Sequence, residues 1–324
     1  MDFLHRADIV TGNTQIVETT IDALRSATFL DGREKFWTTA RVEEQTFADH
    51  TDGPAPDFLF HFGFCGSTFL AKALDQTGAC LALKEPQCLT DIASQQAVLV
   101  QQGVQARLAE GLSFALVEMS TTSSEETILI KPSNWVNGLL PLLARRPDAG
   151  RAVFLSMKLR SYLRATFRGG RDRLAFCSRL ASLIAHEISD GPDRLEEAIA
   201  MSTDPLDQAA NIVAFLHAAQ TALFDDAIAQ GQWRNVIQFD YSEIVEDPQA
   251  AITRAAETLN LPAESAEGDQ LANRHAKDER RSFSHDARSE QDNEVERFHA
   301  KRFDAVEKWA ATLELSVVSP PANA

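Results

Sequence analysis

The residues best placed by type and spacing to do chemistry are Gly63, Phe64, Cys65, Gly66, Ser67 and Thr68. They stand between an apolar run, Phe58 to Phe62, and a stretch with Phe69, Leu70, Ala73 and Leu74 at helical spacing. Strand, glycine loop, hydroxyl pair and helix is a layout that cradles an anion. Glycines let the backbone come close to it. The first N–H groups of a helix lack an intrahelical partner, and the helix dipole favours negative charge there. The spacing excludes a Walker A loop, which has four residues between its glycines and then Lys-Ser/Thr. Here two residues separate Gly63 from Gly66, and no lysine follows. Taken alone, the loop also fits an ordinary tight turn between a strand and a helix.

Other polar groups stand where short apolar runs end. Ala79 to Leu83 leads into Lys84-Glu85-Pro86, Thr127 to Ile130 into Lys131-Pro132-Ser133, and Ala152 to Leu155 into Met157-Lys158. Residues 151–173 hold Arg151, Lys158, Arg160, Arg164, Arg168, Arg171 and Arg173 against one acid, Asp172. Such a basic island in an acidic chain suits a small anion; a solvated helix face is the other reading.

The elements that must position these residues follow from periodicity. Strands near 58–62, 79–83, 127–130, 152–155 and 236–239 alternate with helical stretches near 88–102, 104–119, 135–145 and from 159. Residues 172–231 read as helices broken at Gly191-Pro192 and Asp204-Pro205. Another helix opens at Asp247-Pro248, and an amphipathic one covers about 292–314. Residues 1–50 read as a mixed, mostly helical lead-in, and 51–56 as a linker. Strands alternating with helices predict an α/β fold, a parallel sheet with helices on both faces. In such sheets ligands bind beyond the carboxyl ends of the strands. The loop, Glu85, Lys131 and Lys158 are all expected there.

Composition sets outer limits. The chain has 324 residues, a formal net charge of −16 and four cysteines with no CxxC pair. Polyanions are repelled on average by such a charge, so no nucleic acid partner is expected. Scattered cysteines fit neither a disulfide framework nor a zinc site and suggest a reducing, cytoplasmic compartment. No apolar run approaches membrane length, and no signal segment opens the chain, so no membrane association is expected. Self-association into a homo-oligomer stays open.

Three segments carry a resemblance. They are Phe64-Cys65-Gly66-Ser67-Thr68-Phe69, then Lys158 with Thr166 eight residues on, then Phe239 to Pro248 (Phe-Asp-Tyr-Ser-Glu-Ile-Val-Glu-Asp-Pro). In order and spacing they resemble the sulfotransferase family, over about residues 57–262, and within it a bacterial branch with Phe-Cys in the loop. The resemblance implies a P-loop-like architecture in one domain spanning 1–324. Its core would be 57–262, with a lead-in over 1–56, a helical insertion over 172–231 and a charged segment and helix over 263–324. It also implies 3′-phosphoadenosine 5′-phosphosulfate as sulfuryl donor, a hydroxyl or amine of a small-molecule acceptor, and no metal.

Site roles follow from the same resemblance. Gly63, Phe64, Cys65, Gly66, Ser67 and Thr68 would hold the 5′-phosphosulfate. Lys158 and Thr166 would hold the 3′-phosphate. Lys277, Arg280 and Arg281 would close over it, unless they are plain surface charges. The chain departs from the family at two positions. Phe64 replaces the loop Lys/Arg, a loss worth about 10²–10³ in rate for one electrostatic contact, so Lys131 or Lys84 would have to supply the charge. Ser133 replaces the general-base His, and Glu85 is the better base. His61, inside the first strand, is expected to be structural. The departures also allow a catalytically silent relative that binds a nucleotide or acts through protein contacts.

Overall fold

Residues 1–47 form three strands and one short helix rather than a mostly helical lead-in. In this structure, a computed structural model that describes residues 1–47, 53–147, 149–262 and 285–318, β1 (Asp2–Asp8), β2 (Asn13–Glu18) and β3 (Ala40–Glu44) make an antiparallel sheet in that order. The cause is cross-strand pairing. Phe3 stands opposite Val17 and Leu4 opposite Ile16, and such apolar pairs stabilise a sheet more than local propensity does. A single helical turn and a half, α1 (Ile21–Ser26), is capped by Thr20. The helical expectation failed because these pairings are invisible to a local window.

The central sheet contains β4 (Asp57–His61), β5 (Cys80–Lys84), β6 (Thr127–Lys131), β7 (Arg151–Ser156) and β8 (Asn235–Asp240). All pairings are parallel, in the order β5-β6-β4-β7-β8. β4 and β5 are buried along their whole length, as strands covered on both faces must be. The α/β expectation thus holds, with helices on both faces.

The crossovers follow from the sequence. α2 (Ser67–Leu74) joins β4 to β5, and α3 (Gln87–Gln101) with α4 (Gln105–Ser120) joins β5 to β6. The helix expected over 135–145 is a 3₁₀ turn, Asn134–Leu139, running into the short α5 (Leu140–Leu143), with Pro141 in its first turn. Proline tolerates that place because its missing N–H would have no partner there. α6 (Leu159–Arg168), α7 (Gly170–Ile184), α8 (Gly191–Ala200) and α9 (Pro205–Gln230) lead from β7 to β8. α10 (Tyr241–Glu246) and α11 (Pro248–Thr258) follow β8. Phe58, Phe60 and Phe154 of the sheet gather around Trp233, and Phe154 meets Phe224 of α9 edge-on at 4.8 Å.

α9 is long and apolar enough, by length and composition, to cross a membrane, although half of its apolar window is buried within the fold. The sequence expectation of no such run therefore needs correcting. Alanines fill the gaps between Asn211, His217 and Gln220 and raise its mean hydropathy to 1.3.

The C-terminal helix α12 (His285–Ala310) pairs with three of the seven cations of the basic island. Arg160 pairs with Glu296, Asp304 and Glu307, Arg164 with Glu296, and Arg168 with Asp292. Arg151 is held by Asp57 at 3.2 Å. Arg160, Arg164 and Arg168 form a seam between helices, and Arg151 ties two strands together. They are neither the small-anion site nor the solvated face that the sequence left open.

Candidate functional site

Parallel pairing puts Lys84 of β5 beside Lys131 of β6, so the carboxyl ends of these strands and of β4 meet at one edge. A cavity of about 730 Å³ opens there, lined by Gly63 to Thr68, Glu85, Lys131 and Trp135, together with Arg173, Tyr241 and Arg288.

The loop is shaped for close approach. Gly63 sits at φ +94°, where a Cβ would come within 2.9 Å of the Asn134 amide nitrogen. That amide in turn donates to the Phe62 carbonyl. Gly66 sits at φ +81° against the Tyr241 ring. His61 fixes the loop from below: its Nδ1 accepts from the Gly63 N–H at 3.0 Å, so Nε2 carries the proton and donates to the Pro132 carbonyl at 3.0 Å. Its structural role is that expected from the sequence.

α2 starts at this loop without a side-chain cap, and its first turn holds no acid. α3 to α8 likewise lack such a cap, whereas the helices opening at Thr20, Asp204, Asp240 and Asp247 have one. What sets α2 apart is that its start lines the cavity behind Gly66, which leaves its first N–H groups open to an anion. Cys65 does not add a nucleophile. It is fully buried, its thiol faces the Leu155 carbonyl, and burial pushes that thiol up to about 11.

Two non-glycine residues lining the cavity hold left-handed backbone, Phe64 at φ +61° and Glu85 at φ +57°. Elsewhere among the described residues this occurs only at Asp190 and Asn260, types that tolerate it. Strain of this kind, at bulky residues, clusters where function over-determines the backbone. At Glu85 the backbone N–H donates to the Lys131 carbonyl at 2.7 Å. Its carboxylate meets the buried Lys131 ammonium at 2.5 Å through Oε1 and the Arg33 guanidinium at 3.2 Å through Oε2. Arg33 is largely exposed, stacks on Phe29 and also pairs with Asp31. It is delivered by the segment after α1, which pairs with β5 through the Leu30 N–H and the Lys84 carbonyl.

The residues expected from the sequence divide into three groups. Gly63, Phe64, Cys65, Gly66, Ser67, Thr68, Glu85 and Lys131 all line the cavity. Lys84, Lys158 and Thr166 do not. Lys84 is the last residue of β5, and the left-handed turn at Glu85 separates the two side chains. It is wholly buried, bound to the Arg25 carbonyl at 2.8 Å and paired with Asp75. Burial pushes its ammonium below the usual range. Lys158 is exposed at the start of α6. Thr166 is fully buried with its hydroxyl against Cys177. Neither is placed to hold a phosphate in this cavity. Lys277, Arg280 and Arg281 lie outside the described residues.

Sequence reasoning missed Arg33, Trp135, Tyr241 and Arg288 as site residues. Tyr241 lay within the Phe239 to Pro248 stretch and followed a strand end, which is a readable signal. Arg33 and Arg288 come from distant segments, and their local sequence carries none.

No family model and no curated protein matches the sequence. Among solved structures, the chain is similar to the sulfotransferase domain from the curacin biosynthetic pathway, at 11% identity and a TM-score of 0.38, over 66% of this chain and 76% of that one. It is also similar to a sulfotransferase from Alicyclobacillus acidocaldarius, at 16% identity and a TM-score of 0.35, over 81% of this chain and 98% of that one. At such identities the likeness concerns the fold alone.

Proposed function

We propose that the cavity binds 3′-phosphoadenosine 5′-phosphosulfate and directs its sulfuryl group to a hydroxyl or amine of a small-molecule acceptor. The supporting observation is one cavity with two strained, unlike walls. An uncapped helix start behind Gly63 to Thr68 offers N–H donors, and Glu85 presents a carboxylate with Lys131 beside it.

In this reading the loop N–H groups and the Ser67 and Thr68 hydroxyls hold the sulfuryl oxygens, where charge develops during transfer. Glu85 accepts the proton from the attacking hydroxyl or amine. Its Oε2 is the oxygen to do so, because the exposed Arg33 can leave it more readily than the buried Lys131 can leave Oε1. Lys131 supplies positive charge near the reacting centre. The bond from the acceptor to sulfur forms as the bridging S–O bond breaks, and adenosine 3′,5′-bisphosphate departs. Lys84, Lys158 and Thr166 have no part in it.

One observation favours a second reading. Both carboxylate oxygens of Glu85 are engaged in ion pairs, which suits a site that binds the nucleotide without turning it over. Glu85→Gln separates the two. Sulfuryl transfer requires that this variant keep bisphosphate binding and lose turnover in an acceptor screen. A wild-type chain that binds the donor yet transfers to no hydroxyl or amine would support the silent reading instead.

A further inference from the structure

Arg173 is the cation of the basic island that lines the cavity. It is the fourth residue of α7 and stands beside the loop. Its guanidinium rests on the Phe64 ring, 4.3 Å from the centroid, and its Nη1 donates to the Ala165 carbonyl. Among the described residues it has no carboxylate partner. Burial pushes its guanidinium down and Arg288 pushes it further, against smaller opposing effects of Cys177 and Tyr162. Arg168, behind it, is pushed to about 10 by burial and then by Arg288 and Arg173, and its Nη2 is buried without a partner.

The backbone makes room for this arrangement. A Cβ on Gly169 would fall 2.3 Å from Arg173 Nε and 2.6 Å from its Cδ. Gly169 has ordinary backbone angles, so its lack of a side chain serves space rather than conformation. A glycine that lets an arginine cross it, and a strained phenylalanine that the arginine stacks on, hold one cation over the anion cradle. Arg168 and Arg288 share the Asp292 carboxylate, so among the described residues Arg173 is the arginine of this trio left without one, and an anion in the cavity would supply it.

We infer that Arg173 is an anion-binding side chain of this cavity, contacting a phosphate or sulfuryl oxygen held by loop 63–68 and supplying from α7 the positive charge that the loop lacks at Phe64. The inference deepens the donor-binding reading and rests on it for the identity of the ligand, while the anion contact itself can be tested apart from it.

The test is calorimetric titration of the full chain with inorganic pyrophosphate and, separately, with adenosine 3′,5′-bisphosphate. The wild type should bind pyrophosphate in the millimolar range or tighter. Arg173→Gln should weaken it roughly tenfold or more, the usual effect of losing a charge-assisted hydrogen bond, and Arg173→Lys should recover part of the loss. Gly169→Ala should weaken it as well by pushing the Arg173 side chain aside. Arg179→Gln, at an exposed position on the same helix, should change nothing. A merely structural role would lower the melting temperature of unliganded Arg173→Gln and leave affinity alone; we expect the reverse, because a like charge is removed. No pyrophosphate binding by the wild type, or equal binding by Arg173→Gln, overturns the inference. Pyrophosphate binding that follows this pattern without bisphosphate binding would uphold Arg173 and sink the donor reading. Bisphosphate binding indifferent to Arg173→Gln would do the opposite.

Discussion

Phe64 and Glu85 each adopt a backbone conformation that costs a side-chain-bearing residue about 1–2 kcal/mol. The cavity they share is the return for that cost. Phe64 puts its ring under Arg173, and Glu85 puts its carboxylate between Lys131 and Arg33. Replacing Glu85 by Gln should abolish sulfuryl transfer, leave bisphosphate affinity within a few-fold and cost about 1–3 kcal/mol in stability, because the buried Lys131 loses its charged partner. Denaturant melts and titrations of one protein sample measure both, and full turnover in this variant removes Glu85 as the base. Gly66→Ala should lower the melting temperature through its left-handed φ and its contact with Tyr241, and should weaken anion binding with it. At this scale the sequence was readable where chemistry stood at the end of an apolar run. The loop, Glu85 and Lys131 could be named that way. Thr166 could not be excluded, because no local pattern says that its hydroxyl faces Cys177, nor Lys84, because its partners Arg25 and Asp75 come from other elements.

Among the elements, those whose burial is set by their own composition were legible and those set by distant partners were not. β4 to β8 are apolar along their length and bounded by turn residues, so each stood out. β1 to β3 gain their stability from one another, and α10 from the capping box between Asp240 and Glu243. The basic face of α6 is explained only by α12, whose acids arrive from 130 or so residues away. Glu296→Ala leaves both Arg160 and Arg164 short of a partner. It should destabilise the protein by about 1 kcal/mol, with the difference from wild type shrinking at high salt; thermal melts at two salt concentrations measure this. A second element-scale prediction concerns Glu187, in the turn after α7. Burial raises its carboxyl from 4.5 to about 7, against a hydrogen bond from Gln96 that lowers it. A raised carboxyl favours the folded state below pH 4.5, and this contribution fades as pH climbs to 7. Glu187→Gln should therefore match wild type near pH 4.5 and melt at a higher temperature than wild type at pH 8. A gain confined to acid pH would contradict the assignment.

For the whole molecule, the parallel sheet gathers the ends of β4, β5 and β6, and the segments outside it complete the cavity. The stretch after α1 delivers Asp31 and Arg33, α7 delivers Asp172, Arg173 and Phe176, and α12 delivers Arg288. An acidic chain thereby gathers Arg33, Lys131, Arg173 and Arg288 at one opening beside Asp31, Glu85 and Asp172, a local balance that suits a small anion better than a polyanion. The central claim is that this opening holds a nucleotide bisphosphate. Its most direct test is calorimetry of the full chain with adenosine 3′,5′-bisphosphate. The account predicts saturable binding at one site, weakened by substitution in loop 63–68. Absence of heat or saturation at millimolar ligand, with the chain folded, would contradict it.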